Sequence, residues 1–448
     1  MTHPLFVLRA ALGLSQPEYA GLVARTHAAL GLGQMAARRE KVSRWESGRT
    51  VPEHTAQLAM ARIHGIPARE IYLLGWPHWL HLATGDAALL HQPHTDEGAL
   101  LALAGSVHHP VTPGPSALLL TGSALRAQLR AAVARSTESA AHSDRPGSGP
   151  ADEQLEWIET RVTALEQHHG GTLVPAESLY AAAHAEHRLV VHLLATAQHD
   201  HRTRRRLYRF AARTAQLCTW LCNALNEAAR AERHALVSIR AAGAAGDAPL
   251  LVVAFRQLAY CHTIAGDPAD ALLAIAAARA VGPGLRPAAA SQLHSQEALA
   301  LARLGRADDV ARALYLAGRA LTATGGRPAP GESSGTRNLE RILTAAHGTA
   351  SLFLGRPHEA AHHFDAVAAA GSAPPSGGPS TFTGRWLLDG MKAHLAAGDV
   401  DGAARTVRRA VDIAGTLPPS LAREYHRHLV PHGEEPPIRR ALDYLKHG

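Results

Sequence analysis

The chain has 448 residues, enough for about two to four domains, and its 46% of hydrophobic residues can bury substantial cores. No apolar run reaches the length of a membrane span and the N-terminus lacks a charged-then-apolar leader, so we expect a cytoplasmic protein with no membrane partner. The net charge of +7 is partly concentrated in residues 1–70, where nine Lys or Arg face five Asp or Glu, as expected of a nucleic-acid reader.

The chain opens with an apolar stripe and a helix start. Leucines at helical spacing form the stripe: Leu5, Leu8, Leu12 and Leu14. Ser15 is predicted to cap a second helix, with Pro17 in the first turn and Glu18 three residues on. We expect this helix to extend through Leu30. Its inward side chains are predicted to be Tyr19, Leu22 and Val23, and Leu32 and Met35 are predicted to pack in the turn that follows.

A short third helix is predicted from about Ala37 to Ser47, where Gly48 ends it. Val42 and Trp45 are three residues apart and are expected to face the second helix. Four cations are expected to point outward: Arg38, Arg39, Lys41 and Arg44. Such a face suits a phosphate-lined groove, although a charge run can also be the solvated face of a small helical domain.

The strings GLSQ (13–16) and VSRWESGRTVP (42–52) resemble the xenobiotic-response-element type of helix-turn-helix repressor. The resemblance implies a lambda-repressor-like domain whose second motif helix lies in the major groove of operator DNA. It further implies that Gln16 contacts the DNA backbone and positions this helix, and that Arg49 and Thr50 bind phosphate. The implied base readers are Arg39, Glu40, Lys41, Ser43 and Arg44, with arginine suited to guanine and Glu40 to cytosine. Residues 26–37 are longer than the corresponding connection in most family members.

The remainder of the first domain, placed at residues 1–80, is predicted to contain fourth and fifth helices. Leu58, Ala61 and Ile63 are apolar positions of the fourth helix, and Gly65 and Pro67 follow it. Residues 81–152 are predicted to be an irregular connection with a helical pattern at 123–133. Small and polar residues punctuated by Pro and Gly predict a flexible linker at 135–152 and a domain boundary near 150.

Residues 153–448 are predicted to be almost wholly helical, with an early helix pair at 205–242 that turns Trp220 and Leu225 inward. Glycine turns at Gly266, Gly305, Gly355 and Gly398 separate later helix pairs, at spacings of 39, 50 and 43 residues. These units resemble tetratricopeptide repeats and imply a superhelix of helical hairpins. The predicted class is therefore all-α, and an unrelated helical bundle is the alternative.

The concave wall of such a stack could receive an extended peptide, a partner helix or a small molecule. Polar residues on the first helices of the pairs are the candidate ligand contacts: Arg256, Gln257, Tyr260, His294, Gln296, Glu297, Arg341 and Arg385. For each of them an ordinary solvated position is the alternative.

The chain contains 30 histidines, and two groups of them have helical spacing: His184, His187 and His192, and His358, His362 and His363. Neither group is accompanied by a further ligand of fixed spacing or by a zinc-protease motif, so we predict no metal site and expect surface or groove histidines. Cys218, Cys222 and Cys261 form no disulfide framework and are expected to be small buried residues.

These patterns favour a transcriptional regulator of the repressor type that binds operator DNA as a homodimer and senses a ligand or partner through its repeats. The arrangement resembles peptide-pheromone receptors and the repeat-bearing regulators of actinobacteria. The alternative is a repeat-based interaction scaffold whose DNA-binding domain has degenerated. No Walker loop, dinucleotide fingerprint or nucleophile elbow occurs, so we predict neither an enzyme nor a cofactor.

Overall fold

The computed structural model is all-α, which confirms the predicted fold class: no strand occurs in the part of the chain that it describes. The described residues are 3–84, 86–107, 117–138, 152–168, 175–196, 199–323, 339–370, 382–414 and 417–447.

The N-terminal unit consists of five short helices and a 3-10 segment, His78–Thr84. The helices are α1 (Pro4–Ala11), α2 (Gln16–Ala29), α3 (Arg39–Glu46), α4 (His54–Ile63) and α5 (Ala68–Leu74). They enclose a core of their own whose largest side chains are Tyr19, Trp45, Met60 and Trp79. The predicted leucine stripe is right for Leu5 and Leu8, which are buried, but wrong for Leu12, which is 47% exposed because α1 ends before it.

The described residues of the segment expected to be an irregular connection form three helices, namely α6 (Ala87–His91), α7 (Asp96–Ser106) and α8 (Gly122–Glu138). Only α8 coincides with the helical pattern that was expected at 123–133. Buried residues of this segment, such as Leu103 and Leu129, belong to the same hydrophobic cluster as Leu155 and Val191 further along the chain. The core is therefore continuous across the predicted boundary near 150. Of the predicted linker, residues 135–138 are the end of α8, and residues 139–151 lie outside the described residues.

The rest of the chain is a succession of longer helices. The first group is α9 (Asp152–His168), α10 (Ala176–Thr196), α11 (His201–Ala224), α12 (Ala228–Ala245), α13 (Ala248–Ala265), α14 (Pro268–Val281), α15 (Pro287–Arg303) and α16 (Ala307–Thr322). The second group is α17 (Leu339–Phe353), α18 (Pro357–Ala370), α19 (Thr383–Ala396), α20 (Val400–Ala414), α21 (Pro419–Leu429) and α22 (Pro436–His447), with a 3-10 turn at Val430–His432.

Each of the four predicted glycine turns lies between two helices that pack on each other. The physical reason why the turn requires glycine differs among them. Gly305, Gly355 and Gly398 have φ values of 72°, 72° and 77°, a left-handed conformation that favours glycine. Gly266 has an ordinary φ of −112°. There a Cβ atom would lie 2.8 Å from both His262 Nδ1 and Leu118 Cδ1, so close packing requires the glycine.

Helix α13, at 18 residues, is long and apolar enough to cross a membrane by length and composition, contrary to the expectation that no segment would be. It packs against α11, α12, α14 and α15, and its Phe255 and Leu258 are fully buried. In this fold it is a core helix of the succession α9–α22, which we call the array.

Within residues 78–122, the described stretches 78–84, 86–107 and 117–122 are bound to the helices of the array by buried polar contacts. Arg233 of α12 donates two hydrogen bonds to Asp86, at 3.0 and 3.1 Å. Glu232 accepts the backbone N–H groups of Leu119 and Leu120. These contacts connect the N-terminal unit to the array through a packed segment.

Candidate nucleic-acid interface

Helix α2 begins with the predicted capping box. The Ser15 backbone N–H donates to Glu18 Oε2 at 2.7 Å, and Ser15 Oγ accepts from the Glu18 N–H at 3.5 Å. This cap fixes the first residue of the helix, and so it fixes the direction in which the Gln16 side chain leaves the backbone.

Glu46, the last residue of α3, joins three helices through its carboxylate. Arg9 of α1 donates to Oε1 at 2.6 Å and to Oε2 at 3.2 Å, and Gln16 Nε2 of α2 donates to Oε2 at 2.7 Å. The side chains of Arg9 and Glu46 are only 10% and 7% exposed. This network holds the C-terminal end of α3 against α1 and α2.

Sequence reasoning missed Arg9 and Glu46 and gave Gln16 two roles, a contact with the DNA backbone and the positioning of α3, without the hydrogen bond to Glu46. One signal could have revealed the pair: Glu46 lies at a helix C-terminus, where a carboxylate is disfavoured unless a cation offsets it. Within the protein, the Gln16 amide contacts α3 on the side that packs against α1 and α2, through its hydrogen bond to Glu46. That position agrees with the positioning half of its predicted role.

The inner and outer faces of α3 differ sharply. Val42 is fully buried and Trp45 is 6% exposed, so both face the core as predicted. The candidate DNA contacts on and beside the opposite face are exposed, except Lys41, which is partly buried: Arg38, Arg39, Glu40, Lys41, Ser43, Arg44, Arg49 and Thr50. The structure thus brings the predicted readers to one side of a helix that is anchored on the other.

The cations of this surface are not neutralised. None of five side chains forms an ion pair with a described residue: Arg38, Arg39, Lys41, Arg44 and Arg49. Arg213 and Arg233, in the array, each pair with a carboxylate within 3.0 Å. Unpaired cations on one short helix create a local positive potential suited to a polyanion.

A tight turn after α3 presents the last two candidate residues. Gly48 has a φ of 70°, and the backbone N–H groups of Arg49 and Thr50 donate to the Arg44 carbonyl at 3.0 and 3.4 Å. Ser47 Oγ donates to the same carbonyl at 3.1 Å. The turn therefore folds back onto α3 and leaves both side chains exposed beside its outer face.

The long connection between α2 and α3 is held by a contact that the sequence did not suggest. His27 is 5% exposed, and its Nδ1 lies 3.0 Å from the Gly33 carbonyl oxygen. Met35 packs on the core as predicted, whereas Leu32 is not among the residues of that core. Helix α2 ends at Ala29, with Leu30 as its cap, close to the expected end.

A second candidate site is a cavity between α11, α13, α15, α17 and α19. It is lined by four of the predicted groove residues, namely Arg256, Gln257, Tyr260 and Gln296. Apolar and aromatic side chains from the other helices complete the wall.

The other predicted groove residues do not line this cavity. Glu297 lies on a different face of α15 from Gln296, and its carboxylate accepts from Arg279 Nη1 at 2.8 Å, with His294 alongside. Arg385 is 5% exposed and donates to Asp389 at 2.8 Å one turn further along α19. Arg341 is partly buried and lies outside the cavity lining. A single helical sequence does not reveal which face of a helix meets its neighbours, so the assignment of these residues as ligand contacts stays a prediction.

Two of the histidines expected near the surface are buried instead. His187 is fully buried between Ser106 Oγ at 3.1 Å and Thr214 Oγ1 at 2.9 Å, and burial lowers its pKa to about 3. His184 is 4% exposed. Across the described ranges, no cluster of three or more His, Cys, Asp or Glu could hold a metal ion. Cys218, Cys222 and Cys261 are buried as predicted.

No protein-family model matches this sequence, and no curated protein matches it either.

Proposed function

We propose that the protein is a sequence-specific DNA-binding transcriptional regulator of the helix-turn-helix type, with α2 and α3 as the motif and α3 in the major groove. The observation that carries the proposal is the face of unpaired cations on α3, a helix whose opposite face is buried through Val42 and Trp45. The buried carboxylate of Glu46 fixes the orientation of α3. A helix that reads bases needs a fixed orientation, whereas a helix with a merely solvated face does not.

In this proposal Arg39, Lys41 and Arg44 read or approach base edges, and Glu40 accepts from cytosine. Ser43, Arg49 and Thr50 position the helix by contacting phosphates, as does Arg38. Gln16 acts through Glu46 on the orientation of α3 and reaches the DNA backbone from the start of α2.

We further propose a cytoplasmic homodimer in which two copies of α3 meet successive major grooves of a palindromic operator. Tyr72 and Leu73 of α5 are 72% and 70% exposed and supply an apolar contact for a second copy. The hairpins from α11 onward resemble a tetratricopeptide-like superhelix, and we assign them the sensing of a ligand or partner.

A genomic binding map tests the proposal. We expect sites that share a palindromic sequence, and binding to that sequence that exceeds binding to scrambled DNA by about a thousandfold or more. Arg39→Ala or Arg44→Ala removes most of this preference while the fold is retained. Arg130→Ala, an exposed arginine of α8 that carries the same charge change, leaves it unaltered.

The competing function is a protein-interaction scaffold with a degenerate DNA-binding unit. The long connection 30–38 between α2 and α3 favours it, because a longer connection relaxes the geometry of the motif. Equal affinity for every DNA sequence, with no shared site in the genomic map, would contradict the regulator and support the scaffold.

A further inference from the structure

The cavity between α11, α13, α15, α17 and α19 is small and partly open to the surface. Its volume is about 70 Å³ for the centres of water-sized spheres. That is room for about five water molecules, comparable to the space of one substituted benzene ring. An extended peptide or a partner helix does not fit a space of this size, so the cavity selects a small molecule.

Arg256 of α13 is a cation without a partner at this cavity. It is partly buried and lines the cavity, and it forms neither an ion pair nor a hydrogen bond with any residue that the structure describes. Desolvation lowers its pKa to about 10, with no carboxylate to counter the effect. A guanidinium withdrawn from water without a partner is unfavourable, and a bound carboxylate offsets that cost through paired hydrogen bonds.

The neighbouring residue supplies an unpaired acceptor. Gln257 is 6% exposed and lines the cavity, and its buried Oε1 has no hydrogen-bond partner among the described residues. Its Nε2 donates to the Gln216 carbonyl at 3.1 Å, which fixes the orientation of the amide. An unpaired buried acceptor is unfavourable, and an O–H or N–H group of a ligand in the adjoining cavity is one donor that can satisfy it.

Aromatic rings form much of the remaining wall. The Phe382 ring centroid lies 4.7 Å from that of Trp220, 5.6 Å from that of Tyr260 and 5.5 Å from that of Trp386. These rings pack on one another, and the aromatic wall that they form favours a flat apolar or aromatic guest. They would also suit a cationic guest, but Arg256 repels one.

We infer that the cavity binds a small aromatic carboxylic acid that carries an additional hydrogen-bond donor. The carboxylate pairs with Arg256, the donor group faces Gln257 Oε1, and the ring lies among Trp220, Phe382 and Trp386. A single unpaired cation matches a monoanion. The occupant is therefore a carboxylate of one ring's size.

The proposed binding of the acid to this cavity does not require DNA. Its effect on DNA rests on the proposed function, in which the array is the sensor. The two are separated by measuring ligand binding first without DNA and then in its presence.

The test uses the full-length chain with benzoate, the three hydroxybenzoate isomers and the methyl esters of these acids, followed by calorimetry and tryptophan fluorescence. We expect the acids to bind and at least one hydroxybenzoate to bind more tightly than benzoate. Each ester is expected to bind about 10- to 100-fold more weakly than its acid, because it lacks the charge that pairs with the guanidinium. Absence of binding by all four acids at millimolar concentration, or equal binding of acids and esters, would overturn the inference.

A variant pair assigns the effect to Arg256. Arg256→Met keeps the length of the side chain and removes the charge, so acid binding falls at least about tenfold while the Tm of the ligand-free protein is unchanged or rises. Arg312→Met, at an exposed position of α16, carries the same charge change and leaves binding intact. A lower Tm with undiminished acid binding would show that Arg256 is structural and would refute its role.

The affinity for DNA is measured last, with and without the acids. If the acids bind and DNA affinity changes with them, the cavity is the sensing site of the proposed regulator. If the acids bind and the protein shows no sequence preference for DNA, the proposed function fails while the ligand site stands.

Discussion

At the scale of single residues, the orientation of α3 depends on one carboxylate. Glu46 accepts hydrogen bonds from both Arg9 and Gln16, so three helices meet at a group that is only 7% exposed. Buried ion pairs contribute modestly to net stability, but removal of one member leaves an uncompensated charge. Arg9 would be that charge.

Glu46→Gln is therefore expected to destabilise the N-terminal unit by about 2 kcal/mol and to weaken DNA binding although no DNA contact is removed. Hydrogen exchange of the α3 amides measures the local opening free energy. Glu40→Gln on the exposed face of the same helix changes this energy by less than about 0.5 kcal/mol. Equal protection of α3 in both variants would contradict the role of Glu46.

A second buried carboxylate makes stability depend on pH. Burial raises the pKa of Glu232 to about 8, despite two backbone N–H donors, and burial lowers the pKa of the neighbouring His262 to about 4. Arg233 and Asp86 are the other charged groups that act on Glu232. The pKa of Glu232 in the folded protein exceeds its ordinary value of 4.5, so the contribution of Glu232 to stability is complete below that value and is lost as the pH rises through about 8.

The Tm of the wild-type chain is expected to fall between about pH 5 and pH 9 because the buried carboxyl must give up its proton. Glu232→Gln has no proton to lose and flattens this part of the profile. Calorimetry across the pH range measures both. If the Tm of both chains fell in parallel with rising pH, Glu232 would not be the cause of the loss of stability.

At the scale of helices and turns, hydrophobic periodicity and glycine positions predicted many of the helix boundaries. Ser15 and Gly48 mark helix boundaries because capping involves residues that are close in the sequence, so it can be predicted from the sequence alone. The helices in 81–138 were mostly missed because α6 and α7 are short and their packing is non-local. Four of the eight predicted groove residues line the cavity, three of them on α13, whereas the face of α15 that meets its neighbours depends on tertiary contacts.

A pair of glycine substitutions in one hairpin is expected to act with opposite signs. Gly305→Ala forces alanine into a φ of 72° and destabilises the α15–α16 hairpin by about 1 kcal/mol. Gly318, within α16, has no atom within 4 Å of a Cβ position, and Gly318→Ala stabilises the helix by roughly 0.5–1 kcal/mol. Hydrogen exchange of the α16 amides measures both. Changes of the same sign would contradict the assigned turn and helix.

At the scale of the whole molecule, the N-terminal unit and the array are joined by a packed segment. His78 lies 3.3 Å from Thr121 Oγ1, and the Gly122 N–H donates to the Asp270 carboxylate at 2.9 and 3.0 Å. The Arg240 guanidinium donates to the carbonyl groups of Leu89 and Gln92. Helix α13 carries both the cavity residues and His262, whose Nε2 is 3.6 Å from Glu232 Oε1. A contiguous series of contacts thus connects the cavity with the N-terminal unit, which contains α3.

The salt dependence of binding to a selected site, compared with scrambled DNA of equal length, tests the central claim most directly. For the wild-type chain we expect a strong preference for the site and affinities that fall steeply with salt, while Arg44→Ala loses most of the preference and Arg130→Ala behaves as wild type. Equal affinity of the wild-type chain for both DNAs at every salt concentration would contradict the assignment of α3 as a sequence reader.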